Sequence, residues 1–284
     1  MSSKVDMFDI YFGSFSGTAF QNIRKDTYGE DIGQFCWITA DEYRRFIKFL
    51  NMEPDDYVLD IASGSGGPAI FLSRETGAYV YGIDINEKAV ATARMLAERE
   101  NLSSRLDFRQ SDAREGLPFD QSKFQAVVCI DSIQNIGNRL RLLRESYRVL
   151  RPGGQILYTD THLITGIITI DEIAPRVNVK MHFDFTPPGE NERLLEHTGF
   201  DLEISKDATE NMALISKRMH DSRRRYHNEL MLVEEEQEFE DTRRFLLSLH
   251  LLASERRLSR FVYVARKPYE PHNNSLVCPE AVNC

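Results

Sequence analysis

Apolar positions along the chain fall into two alternating spacings between Thr39 and Asp160. Short runs such as Val58-Leu59-Asp60-Ile61-Ala62, bounded by turn residues, are too brief for helices and predict buried strands over 57–62, 79–84, 105–109, 126–131 and 155–160. Between them, residues 87–100 and 139–150 place apolar side chains at helical spacing, the second stretch closed by Arg151-Pro152-Gly153-Gly154. Thr39 is placed to cap a helix through Glu42, Phe46 and Leu50, and Pro68 suits a first helical turn because its missing N–H is unneeded there. Strand alternating with helix is the pattern of an α/β protein with a doubly wound, mostly parallel sheet.

The flanks are less regular. Up to residue 38 the chain is rich in glycine and aromatics (Tyr11, Phe12, Phe15, Phe20, Tyr28, Phe35, Trp37) without a sustained period, which predicts an arm of short helices able to act as a lid. Beyond the fifth strand comes an apolar, β-branched stretch over 163–179, then Pro187-Pro188 before a helix ending at His197-Thr198-Gly199-Phe200. Strands over 201–206 and 260–265 bring the count to seven. They flank a charged helical segment with Leu230, Val233, Phe245, Leu249 and Leu252 on its apolar side. The expected organisation is an N-terminal arm (1–38), one sheet domain (39–270) with cap insertions at about 161–190 and 207–258, and a flexible tail (271–284).

Composition narrows the partners. A formal net charge of −9 opposes binding to a polyanion, so no nucleic-acid partner is expected. The basic run 217–225 is followed by Glu234-Glu235-Glu236-Gln237-Glu238, which predicts a self-paired surface. Cys36, Cys129, Cys278 and Cys284 have no metal-ligand spacing, and no metal is expected; a reducing cytoplasm suits them. Residues 1–10 lack the pattern of a signal peptide, and no apolar stretch has the roughly 18 residues of a membrane span.

The strand over 57–62 runs into Ser63-Gly64-Ser65-Gly66-Gly67. Glycines there let the backbone turn sharply and approach a ligand. Gly64-x-Gly66-x-x-Ala69, with Asp84 about twenty residues on, also satisfies a dinucleotide fingerprint, so an NAD-dependent oxidoreductase is one alternative and a non-catalytic cofactor-sensing protein another. Asp60 favours a different ligand, because a carboxylate beside a pyrophosphate repels it whereas one beside a cationic amino-acid group attracts it. Asp60-x-Ala62-x-Gly64-x-Gly66 resembles the first motif of class I S-adenosylmethionine-dependent methyltransferases, with Ala62 in place of the motif's first glycine. The order of Tyr81-Gly82-Ile83-Asp84-Ile85, Gln110-Ser111-Asp112-Ala113, Ala126-Val127-Val128-Cys129-Ile130-Asp131 and Leu150-Arg151-Pro152-Gly153-Gly154 is similar to that family as well.

The resemblance implies a Rossmann-like seven-stranded fold and S-adenosyl-L-methionine as cofactor. It assigns the ribose hydroxyls to Asp84 with Ile85 beside it, the adenine amino group and ring to Asp112 and Ala113, and the amino-acid end to Asp60, Ala62, Ser63 and Gly64. Tyr28-Gly29-Glu30-Asp31-Ile32-Gly33-Gln34 looks like the arm of sarcosine, dimethylglycine, phosphoethanolamine and natural-product methyltransferases, which adds Tyr28 and Trp37 to the cofactor side. Asp131 and Gln134 complete it. Where many relatives carry histidines, this chain has Gln134 and Asn135, and amides cannot remove a proton at neutral pH. His162 is then the candidate base, with His182 following. The implied partner is a small-molecule acceptor methylated on N, O or C; a homodimer is left open, and no membrane is expected.

Overall fold

The computed structural model describes residues 7–179 and 183–270. His182 and the tail over 271–284 lie outside the described residues. In chain order the elements are α1 (Met7–Gly13), α2 (Thr18–Tyr28), α3 (Ala40–Ile47), β1 (Tyr57–Ile61), α4 (Gly67–Thr76), β2 (Tyr79–Asp84), α5 (Glu87–Arg99), β3 (Leu106–Gln110), β4 (Phe124–Cys129), α6 (Ile133–Ile136) and α7 (Arg139–Val149). Then follow β5 (Leu150–Ile164), α8 (Ile170–Asn178), α9 (Glu190–Thr198), β6 (Asp201–Asp207), α10 (Thr209–Arg225), α11 (His227–Leu230), α12 (Glu236–Ser254) and β7 (Leu258–Arg266).

Seven strands form one sheet in the order β3-β2-β1-β4-β5-β7-β6. β1 to β5 pair in parallel, and β7 runs antiparallel between β5 and β6. This is the expected doubly wound, Rossmann-like sheet. Its central strands are apolar on both faces because helices cover both. Val58, Val80, Ala126, Val128 and Leu157 enter one core, and Leu59, Ile61, Ile83, Val127 and Cys129 enter the other. Strand order reverses between β1 and β4, so a crevice opens at their carboxyl ends, where open α/β sheets take ligands.

Local chemistry sets several boundaries. Thr39 Oγ1 accepts from Glu42 N–H (3.2 Å) at the start of α3, Asn86 Oδ1 accepts from Ala89 N–H (3.0 Å) at α5, and Pro68 occupies the first turn of α4. One expectation is corrected. Residues 151–154, expected as a turn before the strand, already belong to β5. Phe124 pairs with Leu150 and Ala126 with Gln155, so the intervening residues bulge from the ladder. The β-branched stretch over 163–179 is strand only to Ile164 and becomes helix α8, whose start is secured by Glu172 accepting from Thr169 N–H (2.9 Å). α10 to α12 lie between the antiparallel strands β6 and β7. Of the basic run, Arg223 pairs with Glu234 of the acidic run, while Lys217 pairs with Asp221 and Arg225 with Asp26. Among the described residues no helix is long and apolar enough to cross a membrane.

Candidate functional site

β1 ends at Ile61 and the chain turns through left-handed Ala62 (φ 58°), Gly64 (φ 53°) and Gly66 (φ 77°) into α4. A residue with a Cβ pays roughly 1–2 kcal/mol for that conformation, which explains why the resembling motif has glycine where this chain has Ala62. The loop is tied to β2: Gly64 N–H donates to Asp84 Oδ2 (2.8 Å), whose Oδ1 accepts from Asn86 N–H (2.8 Å). The arm then closes over it. A side chain at Gly67 would overlap the Ile32 carbonyl, Ser65 Oγ donates to Gly33 O (2.8 Å), and a Cβ on Gly64 would lie 3.3 Å from the Phe12 ring.

Beneath this cover lies a first cavity. It is lined by Asp60, Ala62, Ser63, Gly64, Asp84, Ile85, Asp112 and Ala113, all of them cofactor candidates from the sequence. Asp60 is 3% exposed, its Oδ2 has no hydrogen-bond partner, and Ser63 Oγ has none either. Burial, with the nearby Asp84 charge second, pushes the Asp60 carboxyl up to about 8. Asp84 is raised by burial, against the pull of its backbone N–H donors. Asp112 is held below the usual carboxylate range by the Arg114 guanidinium, which donates to both of its oxygens.

A second cavity adjoins the first. Phe8, Phe35, Cys36, Ser132 and Asn135 line both, so the two are continuous. Each is a concave cleft of the kind that takes a small ligand. Trp37, Phe183, Phe245, Leu246 and Leu249 give the second cavity an apolar wall. Asn135 Oδ1 and Gln134 Oε1 are buried there without partners. His162 lines it too, stacked on Phe183 (ring centres 4.8 Å apart), its Nδ1 2.7 Å from Thr161 Oγ1 and its Nε2 unpartnered. Burial first, then the charges of Arg176 and Arg139, holds the ring well below its ordinary value, so it is neutral at pH 7.

Four residues expected on the cofactor side are not in the first cavity. Tyr28 lines neither cavity: its ring is core and its hydroxyl donates to Cys36 O (2.9 Å), bracing the arm. Trp37, Asp131 and Gln134 line the second cavity instead. Asp131 is engaged by Trp37 N–H (2.7 Å), Thr159 Oγ1 (2.6 Å) and Arg260 Nε (2.7 Å), and Arg260 continues to Glu42 (2.8 Å), so its carboxylate fastens the arm to the sheet. Asp160, two residues before His162, accepts from the His162 backbone N–H (3.0 Å) and is held in a buried pair with Arg139 (2.5 Å). Phe8, Phe12 and Asn135 also line the first cavity; Asn135 had a signal in the sequence in its position just after β4, and Phe12 in the aromatic-rich arm.

Residues 58–154, which supply the glycine loop and the strand ends around the first cavity, match the family described as Methyltransferase domain. The 27-O-demethylrifamycin SV methyltransferase of Amycolatopsis mediterranei is 30% identical over 168 residues, which is 56% of this chain and 61% of that one. Another relative, the methyltransferase GfsG of Streptomyces halstedii, is 34% identical over 128 residues, 45% of each chain. The chain thus spans about half the length of the curated relatives it matches. In fold it is similar to phosphoethanolamine N-methyltransferase 2 of Haemonchus contortus, solved with phosphomonomethylethanolamine and S-adenosylhomocysteine: TM-score 0.75, 20% identity, 93% of this chain and 61% of that one. At that identity the likeness concerns the fold alone.

Proposed function

We propose that this chain transfers the methyl group of S-adenosylmethionine to a small-molecule acceptor held in the second cavity. The observation that carries the reading is the buried, unpartnered carboxylate oxygen of Asp60 at the head of the glycine loop. A buried acid without a donor is costly and calls for a cationic partner, which the amino-acid end of the cofactor offers and a dinucleotide pyrophosphate does not. Asp84 would receive the ribose hydroxyls, Asp112 and the N–H of Ala113 the adenine, and Ser63 and Gly64 the amino-acid end. When bound, the cofactor supplies a methyl group already activated on a sulfonium. The chain's own contribution is then alignment and exclusion of water. Phe8 and Phe35 wall the junction between the cavities, and Asn135 presents a free carbonyl oxygen there to orient a donor on the acceptor.

His162 would accept the proton of a hydroxyl or an acidic carbon, being neutral with Nε2 free; a neutral amine needs no such base. The relatives' names support small molecules as the substrate class. Free thiols at Cys36 and Cys129 suit a reducing compartment such as the cytoplasm. Calorimetric titration with S-adenosylhomocysteine and with NAD, followed by mass detection of methylated products in a metabolite extract, tests the reading. Binding of NAD in preference to S-adenosylhomocysteine would overturn it.

A further inference from the structure

Buried arginines in this fold sit on carboxylates, with one exception. Arg24 pairs with Asp31, Arg139 with Asp160, Arg223 with Glu234, and Arg260 with both Asp131 and Glu42. Arg176, on α8, is 1% exposed and has no carboxylate partner among the described residues. Its Nε and Nη2 donate to nothing, and Nη1 reaches only Ser248 Oγ, at 3.4 Å. Burial alone pushes the guanidinium down to about 10, with no neighbouring acid to offset it.

Leaving such a cation dry and unpaired is costly. The Phe245 ring, 5.6 Å from the guanidinium carbon, offsets part of that cost and supplies no acceptor to the free N–H groups. Arg176 and its partner Ser248 do not themselves line the second cavity, but some of its neighbours do. Phe245 lines that cavity, as do Asn178 and Val179 just beyond Arg176 in the chain and His162, on whose ring the Arg176 charge acts.

We infer that Arg176 is the receptor for an anionic group on the acceptor, a carboxylate or a phosphate monoester, entering beside Phe245 and His162. The inference rests on reading the second cavity as the acceptor site. A guanidinium with two free N–H groups offers such oxyanions a planar fork that an ammonium lacks. The group would set which molecules enter, and would hold the acceptor by an end that takes no part in the transfer.

The test uses the protein saturated with S-adenosylhomocysteine, titrated with inorganic phosphate and separately with acetate, each against chloride at equal ionic strength. Thermal midpoints and calorimetric Kd values are read. At least one anion should raise the wild-type midpoint above the chloride control, and the stronger of the two names the group. Arg176→Gln should bind that anion at least tenfold more weakly with S-adenosylhomocysteine affinity unchanged. If Arg176→Gln does not fold, Arg176→Lys takes its place, keeping the charge but losing the fork, and should also weaken the anion. No difference from chloride in wild type, or an equal response in the variant, overturns the inference. Wild type that fails to bind S-adenosylhomocysteine would instead strike the reading of the first cavity, and the anion titration of the free protein would still be decided on its own terms.

Discussion

Asp60 allows a prediction with a worked magnitude. With its carboxyl pushed up to about 8, roughly nine in ten molecules carry a proton there at pH 7 in the free protein. A cationic ligand requires the ionised form, so binding must expel that proton. Titration calorimetry with S-adenosylhomocysteine at pH 7, in two buffers of different ionisation enthalpy, should report release of about 0.9 proton per site. The expulsion costs about 1.4 kcal/mol at pH 7, and a charge-assisted contact returns about 1.5–3 kcal/mol. Asp60→Asn should therefore weaken binding by no more than about fifteenfold at pH 7 and abolish the proton release. The linkage has a second sign. A carboxyl raised above its unfolded value favours the fold at low pH and loses that contribution as pH climbs from about 4 through about 8. The free wild type should thus melt lower at pH 8 than at pH 6 by a margin that Asp60→Asn reduces. Zero proton release in wild type, or the same release in Asp60→Asn, refutes the argument.

Asp84→Asn keeps one acceptor for Gly64 or Asn86 yet loses the charge, so calorimetry should show S-adenosylhomocysteine binding weaker by about 1.5–3 kcal/mol in a folded variant; full affinity would remove Asp84 from the site. Gly64→Val combines a left-handed backbone with a collision against Phe12 and should abolish binding, and retained binding would mean the loop serves another purpose. Ala62→Gly relieves left-handed strain and should gain about 0.5–1 kcal/mol in denaturant unfolding after the entropy cost of glycine, whereas a loss of that size would contradict the strain. His162→Ala should lower turnover about 10²–10⁴-fold for a hydroxyl or acidic-carbon acceptor and less than tenfold for an amine. Since the folded ring titrates well below 6.5, the wild-type rate profile should carry no limb near 6.5. Its fold stability, complete above 6.5, should fall as pH drops below that value, and His162→Ala should lose this dependence.

Strand positions were legible because central strands buried on both faces must be apolar throughout, and their carboxyl-terminal acids fall at the spacing that one crevice imposes. Asp60, Asp84 and Asp112 come together for that reason. The role of Tyr28 was not legible, because an aromatic beside glycines reads the same whether its ring meets a ligand or, as here, the arm's own core. Asp131 misled in a similar way: an acid at a strand end looks free until Arg260, 129 residues later, is seen to claim it. Phe12 was one of several arm aromatics with nothing to single it out, and Arg176 left no trace in the sequence. One reaches the glycine loop from a helix with no signature, and the other is notable only for partners it lacks, which no spacing encodes.

The Glu42–Arg260–Asp131 cluster bears on the order in which the chain is expected to fold. Arg260 lies 218 residues beyond Glu42 and belongs to the strand that completes the sheet between β5 and β6. A chain grown only through β5 would hold both carboxylates at a site meant to be dry, with the cation that neutralises them still to come. Their mutual repulsion is expected to oppose the packing of α3 and the arm onto the crevice until Arg260 arrives. The parallel half of the sheet can assemble early from local strand–helix units, whereas the seal over the ligand cavities waits for β7, the contact of greatest sequence separation.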